Sequence, residues 1–131
     1  MSQEIKILVI DDDDTVQSII SAFINRYMEE KNIKCSIKRI TDPVQGLFLL
    51  NTRGGDYHAI LLDVRLPRLT GDEIYNSLVS VEQDFLERVM FVTGYADDLS
   101  ARFPDLTLNI LQKPFRYRDL ADKLETLLPA P

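Results

Sequence analysis

Residues 7–16 read ILVIDDDDTV: four apolar residues run straight into four consecutive aspartates, and a helix-like pattern follows at once. The apolar half belongs to Ile5–Ile10 (IKILVI), a β-rich run of the kind a strand buried on both faces requires. Beyond the acids, Val16, Ile19, Ile20, Phe23, Ile24 and Tyr27 recur at spacings of three and four, which is the apolar stripe of a helix. Asp14, with Gln17 three residues on, supplies a capping box for that helix. A strand that feeds directly into a helix is the repeating unit of α/β proteins. Like charges at adjacent positions repel, so Asp11, Asp12, Asp13 and Asp14 need compensation from elsewhere in the chain.

The same unit recurs outward from this point. Cys35–Ile40 (CSIKRI) reads as a second strand, and Asp42 as the N-cap of a helix with Pro43 in its first turn and Gln45 at the box position. Residues 57–62 (YHAILL) form a third strand that stops at Asp63. After the loop VRLPRL, Thr70 and Glu73 make another capping box, leading into a helix with Ile74, Tyr75, Leu78 and Val79. Residues 88–92 (RVMFV) form a fourth strand ending at Thr93, and a short helix over 97–103 is stopped by Pro104. Residues 106–111 (LTLNIL) form a fifth, just before Lys113; Tyr117, Leu120, Ala121, Leu124 and Leu128 then stripe a last helix. Five strands, each followed by a helix, predict a doubly wound α/β fold: a five-stranded parallel sheet with helices on both faces. Residues 1–131 read as one domain, with 129–131 (PAP) as a tail or the start of a linker.

Bulk properties exclude several function classes. The chain is 45% hydrophobic and 27% charged, enough apolar material for a real core. Its net charge is −6, and the basic residues Lys34, Lys38, Arg39, Arg116 and Arg118 form only small, separated clusters, so direct nucleic-acid binding is not expected. The single cysteine, Cys35, permits no internal disulfide and has no Cys or His partner nearby, which fits a reducing compartment. MSQEIKILVI is too short in apolar length for a signal peptide or a membrane span; a soluble, cytoplasmic protein is expected. His58, the only histidine, falls at the start of the third strand and is expected to be no ligand.

In open α/β sheets, ligands bind outside the carboxyl ends of the strands. Those ends present Asp11 and Asp12 after the first strand, Asp63 after the third, Thr93 after the fourth and Lys113 after the fifth; Thr41 and Asp42, after the second, already serve a helix start. Three close carboxylates cannot all stay ionised without a cation. Hard oxygens at an open site suit Mg²⁺, which takes one or two carboxylates and keeps several waters. With a metal and a lysine at hand, a carboxylate can attack phosphorus, because the charge developing on the equatorial oxygens is neutralised.

Two families place an aspartyl nucleophile in such a sheet. Asp11, Asp13 and Thr15 match D-x-D-x-[TV], the first motif of haloacid-dehalogenase-type phosphatases, with Asp11 as nucleophile and Asp13 as acid/base. That family needs a tight turn and a small hairpin next; here the helical stripe starts at Val16, Asp63 has no task, and no late acidic motif follows. The chain instead resembles the response-regulator receiver domain of two-component signalling, over essentially its whole length. ILVIDDD carries the acidic pair, AILLDVRLPRLTG the acceptor loop with Pro67 and Gly71 four and eight residues beyond Asp63, MFVTG the hydroxyl, and LQKPF the lysine with its proline.

The resemblance implies a flavodoxin-like strand order, 2-1-3-4-5. It also implies that Asp63 accepts a phosphoryl group from the phosphohistidine of a sensor histidine kinase or histidine phosphotransfer protein. Asp12, Asp63 and the backbone carbonyl of Arg65 would ligate Mg²⁺, and Asp11 would help through water. Thr93 and Lys113 would bind phosphoryl oxygens, with Lys113 pairing to Asp63 beforehand; Arg65 and Tyr95 flank the site as modulators. Asp14 is left as the helix cap, with Asp13 at the rim. Such a domain modifies itself and slowly loses the group again; it is no turnover enzyme, unless the chain is part of a hybrid histidine kinase. Its readout is a partner surface or an output domain beyond residue 131. A receiver-shaped module that is never phosphorylated is disfavoured by the intact Asp12, Asp63, Thr93 and Lys113. One departure touches the switch: receivers commonly carry an aromatic three residues before the lysine, and here that position is Ile110. The signal is then expected to pass from Thr93 through residues 93–103.

Overall fold

A computed structural model describes residues 4–63, 87–94, 101 and 109–128, without the side chains of Pro43, Leu47 and Asp63. Its strands are β1 (Ile5–Ile10), β2 (Cys35–Ile40), β3 (Ala59–Asp63), β4 (Val89–Thr93) and β5 (Asn109–Gln112). Its helices are α1 (Asp14–Glu30), α2 (Pro43–Arg53) and α3 (Tyr117–Leu127), and one 3₁₀ turn covers Gly54–Asp56. All neighbouring strands pair in parallel, in the order β2-β1-β3-β4-β5, as the doubly wound reading requires.

The apolar run of β1 explains its central place. Ile7, Leu8, Val9 and Ile10 are each at most 1% exposed, so both faces of the strand are covered. Ile7 and Val9 join Leu61, Val92 and Leu111 in a core against Ile20 and Ile24 of α1 and Leu120 and Leu124 of α3. Ile10 points to the opposite face and meets α2: a Cβ added at Gly46 would lie 2.5 Å from Ile10 Cγ2. Helices therefore cover both faces, and the glycine lets α2 approach β1 closely.

Three boundaries differ from the sequence reading. The first concerns the cap of α1, which is Asp13 and not Asp14. Asp13 sits in an extended conformation (φ −97°, ψ 114°) and its side chain accepts from the Thr15 and Val16 amides, while Asp14 is the first helical residue. The Asp13 N–H donates to Asp11 Oδ1 at 2.9 Å, which pins the chain one residue earlier than expected. Gln17 consequently takes no part in a box: its backbone N–H makes the first helical bond to the Asp13 carbonyl at 2.9 Å, and its side chain turns inward. Second, β3 starts at Ala59, not at Tyr57. His58 Nδ1 accepts the Lys6 N–H at 3.0 Å, so an imidazole takes the donor that a ladder carbonyl would have used. Third, β4 starts at Val89, not at Arg88, and ends at Thr93 as expected. Asp42 does cap α2, accepting the Val44 amide at 3.0 Å.

The capping box of Thr70 and Glu73, the helix bearing Ile74, Tyr75, Leu78 and Val79, and the loop with Pro67 and Gly71 lie outside the described residues. So do residues 106–108, 129–131, Pro104 and, apart from Ala101, the helix expected over 97–103. Among the described residues, no helix is long and apolar enough to cross a membrane.

Candidate functional site

The site grows from the point where β1 runs out. Asp11 continues the ladder by donating its N–H to the Ile40 carbonyl at 3.1 Å, so its backbone is still part of the sheet. Its side chain is nevertheless 1% exposed and charged, and a buried carboxylate needs compensation. Among the described residues, the Asp13 N–H and Lys113 contribute to it. Oδ1 accepts the Asp13 N–H, and Oδ2 lies 3.5 Å from Lys113 Nζ. Asp12, the next residue, is exposed and opens the acidic pair to solvent.

Lys113 follows β5, yet its ammonium meets an acid that follows β1. Two strands, β3 and β4, lie between them in the sheet, so the lysine side chain overhangs their carboxyl ends. Those ends are Asp63 and Thr93. In the β1–β3 register Ile10 pairs with Leu62, which brings the Asp63 backbone level with Asp11. Asp63 in turn pairs with Val92, the residue before Thr93. Thr93 is fully buried, and its carbonyl accepts the Lys113 N–H at 2.8 Å, tying the end of β4 to the start of the lysine loop.

Of the residues singled out from sequence, then, Asp11, Asp12, Thr93 and Lys113 gather at one end of the sheet, with the backbone of Asp63 among them. The Asp63 side chain, Arg65 and Tyr95 lie outside the described residues. Ile110 is half-buried within β5 and pairs with Phe91, away from the strand ends. His58 lies at the other end of the sheet against Lys6, as expected. Cys35 is half-buried at the start of β2, where burial and then the Glu4 charge push its thiol up. It stays a thiol and not a thiolate nucleophile.

The donor chemistry fits Mg²⁺. Asp11 and Asp12 offer hard oxygens side by side, one held by hydrogen bonds and one in solvent, and Mg²⁺ accepts such a sparse carboxylate set because it retains waters. Among the described residues, no three His, Cys, Asp or Glu side chains are arranged to hold a metal ion by themselves.

Sequence reasoning missed Gln17. It is 0% exposed, and its Nε2 lies 3.1 Å from the Val9 carbonyl, 3.1 Å from that of Asp11 and 2.9 Å from that of Ile40. A signal was present: Gln17, Ile20, Ile24 and Tyr27 share one helical face, so this amide interrupts a buried stripe.

Comparison with known proteins bears directly on this arrangement. Response regulator MprA of Mycobacterium sp. (strain KMS) is 31% identical over 129 residues, which cover 95% of this chain and 50% of MprA. The chain thus spans about half the length of that curated relative. Among solved structures, a response regulator receiver domain protein from Clostridium thermocellum matches with a TM-score of 0.73 at 19% identity, covering 94% of this chain and 93% of that one. The receiver domain of sensor histidine kinase PA1611 from Pseudomonas aeruginosa PAO1, described with a magnesium ion coordinated in its active-site cleft, matches with a TM-score of 0.68 at 21% identity, over 97% and 98% of the two chains. The family model of the response regulator receiver domain matches residues 7–125, from the strand that opens the sequence to the last helix. With the parallel order 2-1-3-4-5 and an acidic pair, a buried threonine and a lysine at its strand ends, this chain belongs to the response regulator receiver domain family.

Proposed function

We propose that the chain accepts a phosphoryl group on Asp63, in a Mg²⁺-dependent reaction, from the phosphohistidine of a sensor histidine kinase or histidine phosphotransfer protein. The observation that carries this reading is the Lys113 ammonium overhanging the ends of β3 and β4 while paired to the buried Asp11. An Asp63 carboxylate oxygen attacks phosphorus, the P–N bond to the imidazole breaks, and an acyl phosphate results. Mg²⁺, when bound, neutralises charge on the phosphoryl oxygens, and Asp12, Asp63 and the Arg65 carbonyl would hold it, with Asp11 acting through water. Lys113 neutralises a second oxygen, and the Thr93 hydroxyl binds a third once the group has arrived. Arg65 and Tyr95 are the site's modulators in this reading.

Chemistry of this kind modifies the chain once per cycle and reverses by slow hydrolysis, so the domain is a switch and not a turnover enzyme. A phosphohistidine donor is made from ATP, and a cytoplasmic setting is part of the proposal. Because MprA is about twice as long as the stretch it shares with this chain, an output domain beyond residue 131 is one readout; a separate protein partner is the other.

Incubation with Mg²⁺ and acetyl phosphate, read by intact mass, tests the reading. One alkali-labile phosphoryl adduct is expected on the unaltered chain and none on a folded Asp63→Asn variant. Undiminished labelling of that variant overturns the assignment and moves the nucleophile to Asp11.

A further inference from the structure

Gln17 presents two amide hydrogens to three backbone carbonyls, those of Val9, Asp11 and Ile40. The opposite orientation of its amide would aim Oε1 at all three acceptors, so the donor orientation is the one that chemistry permits. That choice leaves Oε1 buried without a hydrogen-bond partner among the described residues. A methionine would fill the same space with no such oxygen. An amide kept at this position does something that apolar packing cannot.

What it grips indicates the purpose. The Ile40 carbonyl accepts both Gln17 Nε2 and the Asp11 N–H, so side chain and backbone converge on one oxygen at the end of β2. Asp11 is held through its N–H by Ile40 and through its carbonyl by Gln17. That carbonyl belongs to the planar peptide leading into Asp12, so fixing it sets the direction in which Asp12 leaves the strand. The Asp11 side chain is fixed separately, by the Asp13 N–H and Lys113. From this geometry we propose that Gln17 is a positioning residue for the acidic pair, holding the Asp11–Asp12 peptide so that both carboxylates are preset for Mg²⁺. The inference rests on the receiver reading above, and Gln17 itself touches neither metal nor phosphoryl group.

The test compares the unaltered chain with Gln17→Met, well below the melting temperature of each. Calorimetry should give a Mg²⁺ Kd about tenfold weaker in the variant, the scale of an outer-shell partner lost from a metal site. At saturating Mg²⁺ the rate of labelling by acetyl phosphate should stay within about twofold, because only ground-state metal binding is affected. In the metal-free protein, the Asp11 and Asp13 amides should exchange faster. Ile24→Val, a core truncation on the same helix, is the control: it lowers the melting temperature and leaves Mg²⁺ affinity, labelling rate and Asp11 and Asp13 exchange unchanged. If Gln17→Met does not fold, Gln17→Leu is read instead; it has no polar atom to bury, loses the donors to the three carbonyls and should weaken Mg²⁺ likewise. Mg²⁺ affinity and Asp11 and Asp13 exchange equal to the unaltered chain overturn this inference alone. An unaltered chain that binds no Mg²⁺ overturns the receiver reading together with it.

Discussion

Asp13 Oδ1 lies 2.8 Å from the Thr15 amide and 3.1 Å from the Val16 amide, satisfying two N–H groups that α1 would otherwise leave open. Asp13→Ala should therefore lower stability by about 0.5–2 kcal/mol in urea denaturation, the usual loss for an N-cap. Asp14, inside the first turn, contributes only its charge at the helix N-terminus, so Asp14→Ala should cost less. Metal titration should order the acids differently: Asp12→Ala weakens Mg²⁺ binding by more than about tenfold, and Asp13→Ala far less. If Asp13→Ala impairs Mg²⁺ as severely as Asp12→Ala, the division between metal and cap is wrong. Four identical side chains in a row offer no contrast from which a sequence reading can tell the cap apart. The choice is fixed by a bond from Asp13 N–H to Asp11 Oδ1, which nothing in a run of identical residues announces. Asp11, Asp12, Thr93 and Lys113 were legible for the opposite reason: the two acids follow one apolar run, Thr93 ends a second and Lys113 follows a third, and a parallel sheet brings such ends together.

At the scale of elements, α2 and α1 meet the sheet in different ways. Gly46 sets α2 against Ile10, and an alanine there would place its Cβ 2.5 Å from a β-branched core side chain. Gly46→Ala should destabilise the fold, since overpacking costs about 1–3 kcal/mol and the gain in helix propensity is at most about 1 kcal/mol. A higher denaturation midpoint would show that α2 can back away from β1. On the other face, α1 and α3 are joined through aromatics: Phe23 stands edge-on to Phe115 and Tyr117, and Arg26 lies 3.9 Å from the Tyr117 ring centroid. Tyr27 donates its hydroxyl to Glu125, and burial followed by the Glu125 charge pushes its pKa up to about 12. The folded state thus favours the neutral phenol. Stability from this group is complete below the ordinary value of 10.0 and is lost as pH rises toward about 12. Urea denaturation at pH 9 and pH 11 should accordingly show a smaller alkaline loss for Tyr27→Phe than for the unaltered chain; equal losses would remove Tyr27 from the account. Among the described residues, strands and helices were legible because their apolar periods differ, whereas the start of β3 was not. A half-buried imidazole, taking the Lys6 N–H, decides it.

Across the whole molecule, the order β2-β1-β3-β4-β5 lets one lysine connect the last strand to the first, and its backbone N–H also holds the Thr93 carbonyl. Any movement of Thr93 toward a phosphoryl group must therefore be felt at Lys113 through that 2.8 Å bond. Ile110 stands differently. It is locked in the ladder opposite Phe91, a fully buried residue, and has no ring to turn inward. Gly94, exposed directly after Thr93, supplies the backbone freedom for a shift at the end of β4. Phosphorylation in this chain should then be relayed along the strand ends and not through the body of β5. Hydrogen exchange on the free chain and on the chain with Mg²⁺ and beryllofluoride, a phosphoryl mimic, can separate the two routes. Protection is expected to change at the Gly94 and Lys113 amides and to stay constant at Ile110. Changes centred on Ile110 and α3, with Gly94 and Lys113 silent, would mean that an aliphatic residue performs the aromatic's part and that the strand-end route is wrong.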